Sequence, residues 1–459
     1  CGRRGELSLL RDSKSFANLK QVKPSAIWEG TVLRGSIVAP GVRQSKFFYG
    51  WAIVAALAIT ETVSYGILYY AFSIFIDPMR DQFGWSSSTI TGAFSVALLI
   101  SGLSAPLVGM WLDRHGPRLL MTAGSILGAL MIFAWSRVDS VVGYYAVWVG
   151  MGFAMAASFY EPAFATITKW FERDRRRAIV VVTLVAGFAS TIFPPLASWL
   201  EGRYGWRDAL LVLAIMLAAI NILPHALILR RRPEDMGLHP DGGEISITTA
   251  RPHHSRSGSA LREALRHPAF WWITVSFFVE TFATSAVALY MIPYLTDRGE
   301  SAGFAATAVG LIGAAQVGSR LLTTLFGNRI SSVTLTTIVF AMQSLAVVVL
   351  LQWQSRPGIL TAVVLLGAGR GVVTLMKPNL IADFFGRANY GAISGSMSFF
   401  LTFSGALAPV ITGFALAFWD GYDTVFWILA GLALLGAIGM LGLRGYRPHT
   451  LEGDPIVAT

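Results

Sequence analysis

From residue 48 onward the chain is a succession of apolar segments of about 20 or more residues, each long enough to cross the roughly 30 Å hydrocarbon core of a bilayer as a helix. Twelve can be marked, at 48–76, 87–110, 117–136, 140–167, 178–200, 207–229, 269–295, 303–327, 331–352, 357–384, 390–417 and 422–443. Unsatisfied backbone cannot face lipid, so all twelve are expected to be helices. Only 14% of the 459 residues are charged and 54% are hydrophobic, whereas a soluble protein carries roughly 25% charged residues. A soluble globular enzyme is excluded, and the expected fold class is an all-α membrane protein.

The polar stretches divide the chain. Residues 1–46 hold nine Lys/Arg and lack the apolar run of a secretory signal, so they read as a basic N-terminal tail. The opening Cys1-Gly2 reads as a fragment or displaced start more simply than as a lipid-modified terminus. A linker at 230–268, with Arg230, Arg231, Arg232 and the His253-His254 cluster, separates six segments (47–229) from six more (269–443), and a tail follows at 444–459. Placing the termini and alternate loops on one side collects 27 of the 36 Lys/Arg there and six on the other. The excess makes that side cytoplasmic, in a multi-pass plasma-membrane protein; a bacterial inner membrane is expected, with which the lack of an N-x-[ST] sequon in the sequence is compatible. The net charge of +10 is therefore an orientation signal, not a sign of nucleic-acid binding.

Sliding the second half over the first near an offset of 216 aligns Glu161-Pro162 with Lys377-Pro378 and Gly205-Trp206 with Gly421-Tyr422. Two repeated six-helix halves joined by a linker are the plan of a rocking secondary transporter with its site at the midplane. Between segments 2 and 3, Gly109-Met-Trp-Leu-Asp113-Arg114-His-Gly116-Pro117-Arg118 resembles the signature loop of the major facilitator superfamily. In it Gly109 permits close helix approach and Asp113 offers a carboxylate to a nearby helix N-terminus. The resemblance implies that fold over 48–443. Tyr49-Gly50-Trp51, Phe83-Gly84-Trp85-Ser86, Phe384-Phe385-Gly386 and Tyr390-Gly391 are similar to the monocarboxylate transporter and oxalate:formate antiporter group.

Ionisable residues within the bilayer are costly and are read as functional. Glu61, Glu161 and Glu280 face Arg320, Arg370 and Lys377, three against three. Helical spacing groups Arg370, Thr374 and Lys377, then Gly313, Gln316 and Arg320, then Ser276, Glu280 and Thr284, then Glu61, Ser64 and Tyr65. A guanidinium can grip a carboxylate with two parallel bonds, so Arg320, with Arg370, Tyr65 and Gln316, is expected to bind substrate. In the resembled transporters an arginine of helix 8 has that role, and Arg320 matches it. The chain departs from them at Gln316, where an acidic partner stands, and at Glu61, where a Lys stands. Segment 11 also lacks the antiporter's Lys. Glu61 or Glu280 is expected to carry a coupling proton instead, since a desolvated carboxyl favours its neutral form. Glu161 and Lys377, equivalent in the repeat, are expected to pair across the halves as a gate.

No phosphate-binding GxxxxGK[ST] loop and no His, Cys or Asp-rich metal pattern occurs, so no ATP, cofactor, metal or catalytic residue is expected. The resulting expectation is a carboxylate transporter, coupled to protons or working by exchange and acting as a monomer. The alternatives are a proton-coupled carrier of a neutral or cationic drug-like solute and a transport-dead receptor. Gly391-xxx-Gly395 is expected to pack within one chain.

Overall fold

The computed structural model describes residues 48–242, 260–326, 330–419 and 421–446. The basic stretch 1–46, the His253-His254 part of the linker, the Gly327-Asn328-Arg329 turn and the tail beyond 446 lie outside these described residues. Twelve spanning helices occur among them: α1 Tyr49–Phe83, α2 Ser87–His115, α3 Pro117–Trp135, α4 Val141–Trp170, α5 Arg175–Tyr204, α6 Trp206–Leu227, α7 Pro268–Asp297, α8 Ala302–Thr323, α9 Ser332–Gln352, α10 Arg356–Phe385, α11 Tyr390–Trp419 and α12 Tyr422–Gly445.

Local chemistry sets the helix ends. The hydroxyls of Ser86, Ser140 and Ser331 accept from the backbone amides of Thr89 (3.1 Å), Gly143 (3.2 Å) and Thr334 (3.1 Å), capping α2, α4 and α9. Gly116 takes φ +82°, a conformation that admits glycine most readily, and lets Pro117 open α3 immediately after α2 ends. Large apolar side chains point outward, among them Phe414 and Phe418 four residues apart on α11. On a soluble helix they would be a liability; here they are the lipid face.

The first helix runs past the expected residue 76 to Phe83 because its last turns are amphipathic and anchored. Met79 is fully buried and its Sδ accepts from Trp135 Nε1 at 3.2 Å. Spans expected to be continuous are broken at mid-membrane. In α4 regular helix stops at Ser158, Phe159 is extended, and a second half-helix runs Tyr160–Trp170. Pro162 explains this, since it has no N–H and its ring would clash with the carbonyl of residue 158. In α1 the helix tightens to a 3-10 turn over Tyr70–Phe75, where Phe72 stacks on Phe94 at 4.6 Å. No Gly or Pro marks that break; tertiary packing imposes it. In α6 a π-turn at Ala218–Ile222 swings Asn221 onto the Thr60 carbonyl (3.2 Å) and Ser64 Oγ (2.8 Å).

We call the end of the bundle that carries Tyr49 and Gly445 the near end. There, buried residues of both halves form one core, including Ile53, Trp170, Ile179, Phe270, Phe385 and Ile393. Toward the far end the core divides into two, one from α1–α6 around Phe75, Trp135 and Trp148, the other from α7–α12 around Met291, Tyr294 and Phe426. The halves meet through α2 against α11 and α5 against α8. The α2–α11 seam is closed by backbone. A Cβ on Gly109 would run into the Gly391 carbonyl, and one on Gly395 into the Ala105 carbonyl, which places Gly391-xxx-Gly395 inside the chain. The bundle is therefore shut at its near end and divided at its far end.

Candidate functional site

The break in α4 puts Glu161 in the first turn of a half-helix, where the aligned amides favour a carboxylate. Lys377 of α10 donates to its Oε1 at 2.5 Å, Ser398 of α11 donates to the same oxygen at 2.8 Å, and Ser394 donates to Oε2 at 2.6 Å. Lys377 also donates to Ser398. Four groups from three helices thus tie the halves together, with the carboxylate fully satisfied.

Nearer the end lies a second layer. Asp113 accepts from the amides of Gly391 (3.1 Å) and Ala392 (2.7 Å), capping α11 from the other half, and Lys169 pairs with it at 3.1 Å. Arg114 and Arg118 of the same loop are exposed. A third set was not anticipated from sequence. Arg175 pairs with Asp383 of α10 and donates to Asn379 Oδ1 at 3.3 Å, while Ser332 donates to Asp383 at 2.7 Å and accepts from Arg176 at 2.6 Å. The second half carries no Asp in its loop equivalent to Asp113; Asp383 supplies a carboxylate from inside α10 instead. Its signal was an acidic residue at the end of an apolar span, facing the Arg-rich start of α5.

Farther in, the layout changes from paired to open. Arg370 lies seven residues from Lys377 on the same face of α10, about 10 Å up the helix. It is half-buried, and among the described residues its guanidinium has no hydrogen bond or ion pair. Arg320, expected as the first substrate anchor, is buried; its Nη1 donates to the Thr183 carbonyl of α5 at 2.8 Å, and it lies against the Tyr160 hydroxyl. Gln316 is half-buried one turn away, its backbone packed against Gly371. Tyr70 lies within electrostatic reach of both arginines and Tyr69 within reach of Arg370. Tyr65 stacks on Phe159 with ring centres 4.1 Å apart and lies 4.6 Å from the Tyr160 ring.

The two remaining glutamates differ. Glu61 is wholly buried beside Tyr65 and Tyr160, and among the described residues neither carboxyl oxygen has a hydrogen-bond partner. Glu280 is buried near Gln343 and Thr284, with Arg370 as the cation that reaches it. Two stripes drawn from helical spacing divide. Ser64 turns to Asn221 of α6, and Ser276 packs at Gly439 of α12, so these hydroxyls serve contacts inside one half. His225 is buried, its Nδ1 bonded to Ser125 Oγ at 2.8 Å. Among the described residues no cluster of His, Cys, Asp or Glu could hold a metal ion.

A family model described as Major Facilitator Superfamily matches residues 57–409. The chain belongs to this superfamily. Its fold and family are those of membrane transporters, not enzymes. Among relatives of this facilitator-superfamily chain, monocarboxylate transporter 13 of Bos taurus is 21% identical over 408 residues, covering 86% of this chain and 88% of the relative. The oxalate:formate antiporter of Oxalobacter formigenes is 25% identical over 401 residues, covering 85% and 89%. Of solved structures, the human organic anion transporter MFSD10 (TETRAN) superposes with a TM-score of 0.64 at 15% identity, covering 85% of this chain and 99% of that one. This last likeness concerns the facilitator fold alone.

Proposed function

We propose that the protein is a secondary active transporter of small carboxylate anions that works by alternating access between its two halves. The observation that carries the reading is Arg370, a half-buried guanidinium at mid-membrane that makes no hydrogen bond or ion pair among the described residues and has Glu280 only within electrostatic reach. A partly desolvated guanidinium without a direct ion pair gains from an anion that can bond to it, and an anionic substrate is the natural partner. Arg320 shares the site, holding α5 to α8 while it lends its charge. The relatives named as monocarboxylate and oxalate:formate carriers support the same cargo class.

The Glu161–Lys377 pair is the gate of this scheme, made in the near-end-shut state and broken when the near end opens. The near end, with its excess of Lys/Arg, faces the cytoplasm of a bacterial inner membrane, and the chain acts as a monomer. Glu61 is the coupling group. An ionised carboxylate without partners in that position would bear the full cost of an unpaired buried charge, so it exchanges its proton as the cavity fills with water and substrate. Glu280 tunes Arg370 from the opposite wall.

The test is uptake of labelled lactate, pyruvate, acetate and oxalate into proteoliposomes under an inward proton gradient. Uptake that rises with the gradient and is lost in Arg370→Gln is the expected result. Folded protein that moves no acid, yet moves a neutral or cationic solute through the glutamates, would overturn the reading.

A further inference from the structure

Farther in than the Glu161–Lys377 pair lie two unlike sets of side chains. One, from α8 and α10, is cationic and presents Arg320 and Arg370. The other, from α1, α2 and α4, is a continuous run of rings: Tyr160 lies 4.6 Å from Tyr65, Tyr65 stacks on Phe159 at 4.1 Å and lies 6.4 Å from Tyr69, and Tyr69 lies 5.1 Å from Tyr70 and 5.2 Å from Phe94. Tyr69 and Tyr70 lie within electrostatic reach of the arginines, and Tyr160 lies against Arg320. Tyr65 and Tyr160 are stacked on Phe159 and Phe164, with ring centres 4.1 and 5.0 Å apart, whereas Tyr69 meets Tyr70 and Phe94 only edge-on. Tyr69 is 36% exposed and Tyr65, Tyr70 and Tyr160 are half-buried. No arginine stacks on them; among the described residues the cation–π pairs lie elsewhere, as with Arg298 over Tyr294 and Arg207 over Trp206.

A two- or three-carbon acid held on Arg370 touches the cationic set and leaves the rings without a partner. Aromatic faces left open inside a cavity gain most from another flat apolar body, by burial and by offset or edge-on ring contact. Resting on the carboxylate reading above, we propose that the substrate is an aromatic carboxylate, its carboxylate on Arg370 and its ring against Tyr69 and Tyr70.

The test is competition against labelled benzoate bound to the purified full chain, with benzoate, phenylacetate, acetate, lactate and benzyl alcohol as competitors. Benzoate and phenylacetate are expected to compete at least tenfold better than acetate or lactate, and benzyl alcohol not at all. Tyr69→Ala and Tyr70→Ala should each weaken benzoate about tenfold and leave acetate within twofold. Tyr69→Phe, which keeps the ring, should restore benzoate and so separates lost stacking from lost folding. Acetate or lactate binding as tightly as benzoate, or tyrosine variants that weaken both acids equally, would overturn the proposal and leave the carboxylate reading standing. Binding of benzyl alcohol with no binding of any acid would overturn both.

Discussion

Glu161→Gln keeps the shape of the gate residue and removes its charge. In the near-end-shut state it leaves Lys377 facing a neutral amide in a setting where the two side chains are only 15% and 27% exposed, Lys377 and Glu161 respectively. Removing one partner of a fully buried pair costs about 3–5 kcal/mol, and partial exposure reduces this to about 2 kcal/mol. When the near end opens, Lys377 regains water and the loss vanishes, so the whole cost falls on the shut state. At about 1.4 kcal/mol per tenfold, the ratio of open to shut molecules rises ~30-fold. The assay replaces the only cysteine, Cys1, with Ser and places a reporter at Met397, which is 1% exposed in the near-end core. A membrane-impermeant maleimide applied from the near side should label Met397→Cys about 30-fold faster in the Glu161→Gln background. A charge-reversed pair, Glu161→Lys with Lys377→Glu, should return the rate toward the parent. A labelling rate within twofold of the parent in folded Glu161→Gln protein would refute the gate.

Other perturbations follow from neighbouring contacts. Asp113→Asn weakens the cap on α11 and leaves Lys169 buried without its carboxylate, and should speed the same labelling about tenfold, equivalent to about 1.4 kcal/mol. Gly395→Leu drives a side chain into the Ala105 carbonyl, overpacking that costs about 1–3 kcal/mol in the shut state, and transport should cease while near-end labelling rises. Asn221→Leu loses bonds to the Thr60 carbonyl and Ser64 and should lower thermal stability in detergent by about 1–3 kcal/mol without altering substrate affinity. Glu61→Gln should retain anion exchange between loaded vesicles and lose accumulation driven by a pH gradient; gradient-driven uptake equal to the parent would refute its coupling role.

Span length and polarity made the twelve helices legible, because the bilayer leaves the backbone so few solutions. The Asp113 loop was legible because a carboxylate beside a glycine and a following Pro117 has few uses except to seat against a helix start. Glu161 and Lys377 could be set side by side because the repeat assigns them equivalent places. The cavity wall was not legible. Tyr69, Tyr70 and Tyr160 look like ordinary aromatic residues of apolar spans, and the helix breaks beside them, at Phe159 and after Tyr69, do not show in their spacing. Pro162 carried a readable sign of the first break; nothing local marks the second. Spacing alone also cannot reveal that Arg320 donates to the Thr183 carbonyl, whereas Arg370 makes no hydrogen bond or ion pair among the described residues.

The glycine seam between α2 and α11 has a kinetic consequence. Where Gly109 meets Gly391 and Ala105 meets Gly395, main chain lies on main chain, with no side chains to withdraw from sockets and no rotamers to freeze when contact is remade. Such a junction can roll with little friction. The time the molecule spends shut is then governed by the few polar fastenings beside the seam, and the speed of each crossing by the smoothness of the seam itself. Bulk added there should slow every crossing as well as loosen the shut pose, whereas charge removed from the fastenings should change mainly how long each pose is held.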